Sequence, residues 1–77
     1  MQDLIKFLIT KITGSTDFEI SESQDERGEL FTIKAEPQII GLIIGKAGKT
    51  IKNIRRIASI RATHENKFVN INVIEKD

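Results

Sequence analysis

The chain has no cysteine, no tryptophan and no tyrosine, and it has one proline, one methionine and one histidine among 77 residues. Without cysteine it forms neither disulfides nor thiolate metal sites, a usage that fits a reducing cytoplasm. The aromatic set is Phe7, Phe18, Phe31 and Phe68, so the core must be small and largely aliphatic. No apolar run is long enough to span a bilayer. The opening segment Met1–Lys6 is apolar for too short a stretch to act as a signal peptide; it carries Asp3 and no small-residue cleavage site. What remains is a chain that is 39% hydrophobic and 30% charged, the balance of a soluble, foldable domain. The length suits one domain over residues 1–77, because a second core needs more chain than this.

Acidic residues are missing from one long stretch. Between Pro37 and His64 there is no Asp or Glu, yet Lys46, Lys49, Lys52, Arg55, Arg56 and Arg61 all fall there. The rest of the chain, with six cations against eleven acids, carries about five negative charges, although the total is only +1. Segregation of this kind builds a local positive potential that attracts anions. The same pattern also describes a basic helix face that is merely solvated.

The hydrophobic pattern predicts three helices and three strands. Leu4, Ile5, Leu8 and Ile12 recur at helical spacing over residues 3–13, with Phe7 on the flank and Gly14 as a stop signal. Residues 16–24 alternate around Phe18 and Ile20, and residues 29–35 place Phe31, Ile33 and Ala35 on one face. Asp25-Glu26-Arg27-Gly28 between them has turn chemistry, so the two runs form a hairpin. Pro37 suits a first helical turn and opens a short apolar helix to Ile44. After Gly48 comes the longest helix, over residues 49–63. At 100° per residue Ile51, Ile54, Ile57, Ala58 and Ala62 form its apolar stripe, and Lys49, Lys52, Arg55 and Arg56 form a basic one. Val69, Ile71 and Val73 alternate with Asn70 and Asn72 in a last strand. The predicted order is α-β-β-α-α-β, an α+β fold.

Two helices joined by Gly45-Lys46-Ala47-Gly48 create a specific chemical opportunity. Glycine at both ends lets the main chain turn sharply and meet a ligand without side chains in the way. The helix that follows presents free N–H groups and the positive end of its dipole, which suit a phosphate. Lys46 and Lys49 add mobile charge, and Ile40, Ile43 and Ile44 offer an aliphatic wall beside the loop. Phosphate contacts on one side and an apolar wall on the other fit a single nucleic-acid strand with its bases splayed out; a duplex hides them. With no aromatic near the loop, affinity rests on charge and aliphatic contact.

The run Ile43-Ile44-Gly45-Lys46-Ala47-Gly48-Lys49-Thr50-Ile51-Lys52-Asn53-Ile54 resembles the signature of the KH family: an Ile-Gly-Lys-x-Gly core followed by a regularly spaced aliphatic helix. The element order resembles the type II KH arrangement, in which an extra helix and strand precede the βααβ unit. That resemblance implies a three-stranded sheet with helices packed on one face. In size and ending the chain is similar to the small stand-alone bacterial KH proteins of the KhpA group (YlqC-like). The resemblance implies a cytoplasmic single-stranded RNA-binding protein, an RNA chaperone or post-transcriptional regulator. As partners the resemblance implies a second copy of the chain, in a homodimer, or a larger KH-containing protein, in a heterodimer. It places the phosphate clamp on Gly45, Lys46, Ala47 and Gly48, the groove wall on Gly41 and Ile44, and flanking charge on Lys49, Lys52 and Arg55. Sheet-side base contacts fall loosely near Ile33 and Ala35.

Competing readings remain open at this point. Gly45 and Gly48 also suit a tight turn with no ligand, and Gly41 a helix-packing contact. Gly48-Lys49-Thr50 ends like a nucleotide-binding phosphate loop, but that motif requires glycine where Ile43 stands, and a larger parallel-sheet domain. No Ser-His-acid set, carboxylate pair with a base or metal-ligand spacing is present, so neither an enzyme, a metal site nor a cofactor is expected. A KH-fold interaction or dimerisation module and a single-stranded DNA binder are the alternatives. Ile60 lies about 180° round the helix from Ile51, among Lys49, Asn53 and Arg56, as an isolated exposed residue or the centre of a symmetric dimer contact.

Overall fold

The computed structural model describes residues 1–76. Its elements follow the predicted order: α1 (Gln2–Thr13), β1 (Phe18–Asp25), β2 (Gly28–Ala35), α2 (Pro37–Ile44), a 3-10 turn (Lys46–Gly48), α3 (Lys49–His64) and β3 (Val69–Glu75). The strands make one sheet in the order β1-β2-β3. The hairpin β1–β2 is antiparallel, and β3 returns beside β2 in parallel register, Phe31 opposite Ile71 and Ile33 opposite Val73. A parallel return needs a crossover; here α2, the glycine turn and α3 supply it.

Side-chain alternation decides which face of the sheet is covered. Phe31, Ile33, Ala35 and Ile71 point to the helices and are buried, whereas Asn70, Asn72 and Ile74 point the other way and are exposed. All three helices therefore lie on one face. Their buried residues are Ile5 and Ile9 from α1, Ile40 and Ile43 from α2, and Ile51, Ile54, Ala58 and Ala62 from α3. Each fully buried Ile or Phe contributes about 1.5–3 kcal/mol relative to exposure, so Phe31 on the central strand anchors the core. No polar or charged residue is buried among those described.

Two stripes differ from expectation. In α1 the buried pair is Ile5 and Ile9; Leu8 packs at its edge, and Ile12 in the last turn is 41% exposed. In α3, Ile57 is 40% exposed. An amphipathic stripe is wider than the line of contact it serves, and Ile57 lies 60° or more from the buried line through Ile54 and Ala58. At the start of α2, Pro37 takes the first helical position after Glu36, as its fixed φ favours.

Candidate nucleic-acid interface

The glycine turn is built from backbone conformations that most residues avoid. Gly45 closes α2 with φ 74° and ψ 179°, its N–H bonded to the Gly41 carbonyl at 2.9 Å. Ala47 (φ 55°, ψ 25°) and Gly48 (φ 74°, ψ 13°) are both left-handed, and the Gly48 N–H reaches back to the Gly45 carbonyl at 3.2 Å. Side chains with a Cβ visit this region at a cost of roughly 1–2 kcal/mol, so glycine at two of the three positions is what makes the turn possible. Gly48 then serves as the N-cap of α3 with no side-chain cap on the helix. The positive end of a 16-residue helix thus opens on the turn without a resident side-chain acceptor.

Lys46 and Ala47 at the tip are exposed. No carboxylate lies within ion-pair distance of Lys46, Lys49, Lys52 or Arg56 among the described residues. Lys49, Lys52, Asn53 and Arg56 line one shallow concavity of about 360 Å³ just beyond the turn. Arg61 is different: its Nε donates to Glu65 at 3.0 Å, and that hydrogen bond is the main cause holding the Glu65 carboxyl below its usual 4.5. The resulting contribution is present above the ordinary carboxylate range and fades as pH falls through the lowered value.

Arg55 also stands apart from Lys49 and Lys52. It reaches across from α3 to the edge strand β3, where its Nε (3.3 Å) and Nη2 (3.2 Å) both donate to the Ile71 carbonyl. Nothing in the sequence announces this contact between residues 16 positions apart.

On α2, Gly41 is exposed and a Cβ added there would meet nothing within 4 Å. No packing contact therefore requires it to be glycine. Ile44 is 39% exposed on the same flank of the helix. The other two residues of the expected aliphatic wall are core instead: Ile43 is fully buried and Ile40 nearly so. Ile33 and Ala35 are fully buried too, so their side chains offer nothing to a ligand. One exposed aromatic carries no sequence signal: Phe68, 79% exposed, stands at the far end of α3 and lines a concavity of about 450 Å³ with Ser59, Ala62, Thr63 and Asn66.

A GxxG turn between two helices, set on a three-stranded sheet whose third strand returns in parallel, defines a KH-type domain. The chain matches the family described as "KhpA/KhpB, KH domain" over residues 2–73, and it belongs to that family. Among its relatives, the RNA-binding protein KhpA of Clostridium perfringens (strain 13 / Type A) is 28% identical over 75 residues, covering 96% of this chain and all of the relative. The RNA-binding protein KhpA of Clostridium acetobutylicum is 29% identical over the same length and shares. No helix among the described residues is long and apolar enough to cross a membrane.

Proposed function

We propose that this chain is a non-catalytic single-stranded RNA-binding protein that clamps the phosphate backbone at Gly45-Lys46-Ala47-Gly48. The observation that carries the reading is the uncapped N-terminus of α3, reached through a left-handed glycine turn and flanked by Lys46 and Lys49, which have no acidic partner among the described residues. Main-chain N–H groups and a helix dipole there favour an anion. Lys49 and Lys52 extend the charge along α3, and Gly41 with Ile44 leaves an open, apolar flank for a base. The names of the KhpA relatives, both RNA-binding, support the choice of ligand. In the cell this is the chemistry of a cytoplasmic RNA chaperone or post-transcriptional regulator.

NMR titration with a short single-stranded oligoribonucleotide tests the clamp. The amide signals of residues 45–48 shift on binding, with those of the outer sheet face unmoved; a folded protein whose loop amides stay still defeats the reading. Competition with DNA of the same sequence separates RNA from DNA, because phosphate and aliphatic contacts do not themselves sense the 2′-hydroxyl.

A second activity is favoured by one further observation. Ile60 is 57% exposed on α3 and Ile57 40%, an apolar spot on a helix otherwise lined with charge. Self-association through this spot, or pairing with a larger KH-containing protein, places two clamps on one strand and raises avidity through effective concentration.

A further inference from the structure

We infer that Arg55 guards the free edge of the sheet: held against the Ile71 carbonyl, it keeps β3 from pairing with the β3 of a second copy of this chain. The inference is independent of the clamp proposed above. β3 ends the sheet, with a neighbouring strand, β2, on one side only. In the parallel ladder the Phe68 carbonyl accepts from the Glu29 N–H of β2. By alternation Asn70 and Asn72 also turn their peptide groups to β2, so Val69, Ile71 and Val73 turn theirs to the outside. A row of outward N–H and C=O groups is a template for another strand. The residues along it make the hazard specific. Val69-Asn70-Ile71-Asn72-Val73-Ile74 has no charge, no proline and no glycine over six residues, and four of them are β-branched, the composition that pairs with its own copies.

The two edges of the sheet are defended differently. β1, at the other edge, carries Glu19, Glu22 and Asp25, which oppose the same carboxylates on an incoming copy. β3 has no charge of its own before Glu75. Among the described residues, the side chain that hydrogen-bonds to its outer row is Arg55, whose Nε and Nη2 donate to the Ile71 carbonyl at 3.3 and 3.2 Å. Ile71 is the middle one of the three outward residues. In an antiparallel pairing of two copies about a two-fold axis it is the residue that faces itself, with Val69 opposite Val73 of the second copy. The guanidinium therefore occupies the acceptor at the centre of that ladder. It also sets a positive charge near the axis, where it would meet its own copy, and like charges across a strand pair are destabilising. No carboxylate lies within ion-pair distance of Arg55 to neutralise it among the described residues.

The test compares Arg55→Met, which keeps an aliphatic stem and loses the charge and the donors, with Arg56→Met. The second variant makes the same change of net charge one residue further on, and both positions are exposed. Sedimentation velocity over a concentration series is read beside amide hydrogen exchange by NMR. Arg55→Met is expected to form species larger than wild type, in a proportion that grows with concentration. In those species exchange at the Val69, Ile71 and Val73 amides is expected to slow at least about tenfold. Arg56→Met is expected to match wild type in both measurements. Adding Asn72→Lys to Arg55→Met puts a charge back on the exposed side of the same strand, and is expected to restore wild-type size and exchange. The three β3 amides separate edge pairing from any contact through Ile60, which would leave them unprotected. An Arg55→Met protein that sediments as wild type overturns the inference. So do larger species in which these amides still exchange as in wild type, and equal association of Arg56→Met, which assigns the effect to net charge. Should circular dichroism show Arg55→Met unfolded, Arg55→Gln takes its place, with the same results counting for and against.

Discussion

The main chain at Gly45 passes so close to Thr50 that a Cβ added to the glycine would come 2.6 Å from the threonine Cβ and 3.1 Å from its nitrogen. Gly45 also holds φ 74° with ψ 179°, a region open almost only to glycine. Gly48 shares the positive φ, but a Cβ there would meet nothing within 4 Å. The two glycines of the motif are therefore not equivalent. Gly45→Ala is expected to cost about 1–3 kcal/mol from the backbone, plus overpacking against the first turn of α3 of similar size. Gly48→Ala is expected to cost about 1–2 kcal/mol. Urea unfolding of both variants checks the order, and equal stability contradicts the packing of Gly45 on Thr50.

Much of the fold is legible in the sequence because of periodicity. Aliphatic spacing and turn residues locate all three helices and the hairpin, since helix and strand leave different repeats in a chain. What is not legible depends on how elements meet. Ile9 outranks Ile12 in the core because the sheet and α2 cover only part of the α1 stripe. Ile40 and Ile43 belong to the core because α2 turns that flank inward. Ala47 gives no sign of its left-handed conformation, since only glycine announces that freedom. The Arg55–Ile71 contact requires knowing that β3 lies along α3, which no local pattern encodes.

Lys46→Asp combined with Ala47→Asp tests the electrostatics of the turn without altering its path. Both residues are exposed, and Asp tolerates the left-handed conformation that Ala47 occupies. Stability should stay within about 0.5 kcal/mol of wild type. Affinity for single-stranded RNA should fall at least about tenfold, since lost charge-assisted hydrogen bonds are joined by repulsion between like charges. Anisotropy titration beside thermal unfolding measures both, and unchanged affinity in the folded variant removes the clamp.

Ile60→Asp addresses self-association. The residue is 57% exposed, so the substitution should leave protomer stability within about 0.5 kcal/mol. Across a symmetric contact it places two carboxylates face to face, which a dimer does not tolerate. Sedimentation velocity is expected to show a dimer for wild type and a monomer for the variant. Identical profiles dispose of this surface as an interface.

Salt dependence distinguishes cations that touch phosphate from those that only share its neighbourhood. For a single strand, log K falls against log salt with a slope of about −0.7 for each phosphate neutralised. Replacing Lys46, Lys49 or Lys52 by Gln should each make the slope shallower by about 0.7. Arg61→Gln supplies the control, because Arg61 is held by Glu65 and lies twelve residues past Lys49, about 18 Å along α3. At physiological salt, charge is screened over about 8 Å, so this change should leave the slope as it is. Equal effects of all four substitutions would mean that the protein answers only to its overall charge, and the localised clamp would have to be abandoned.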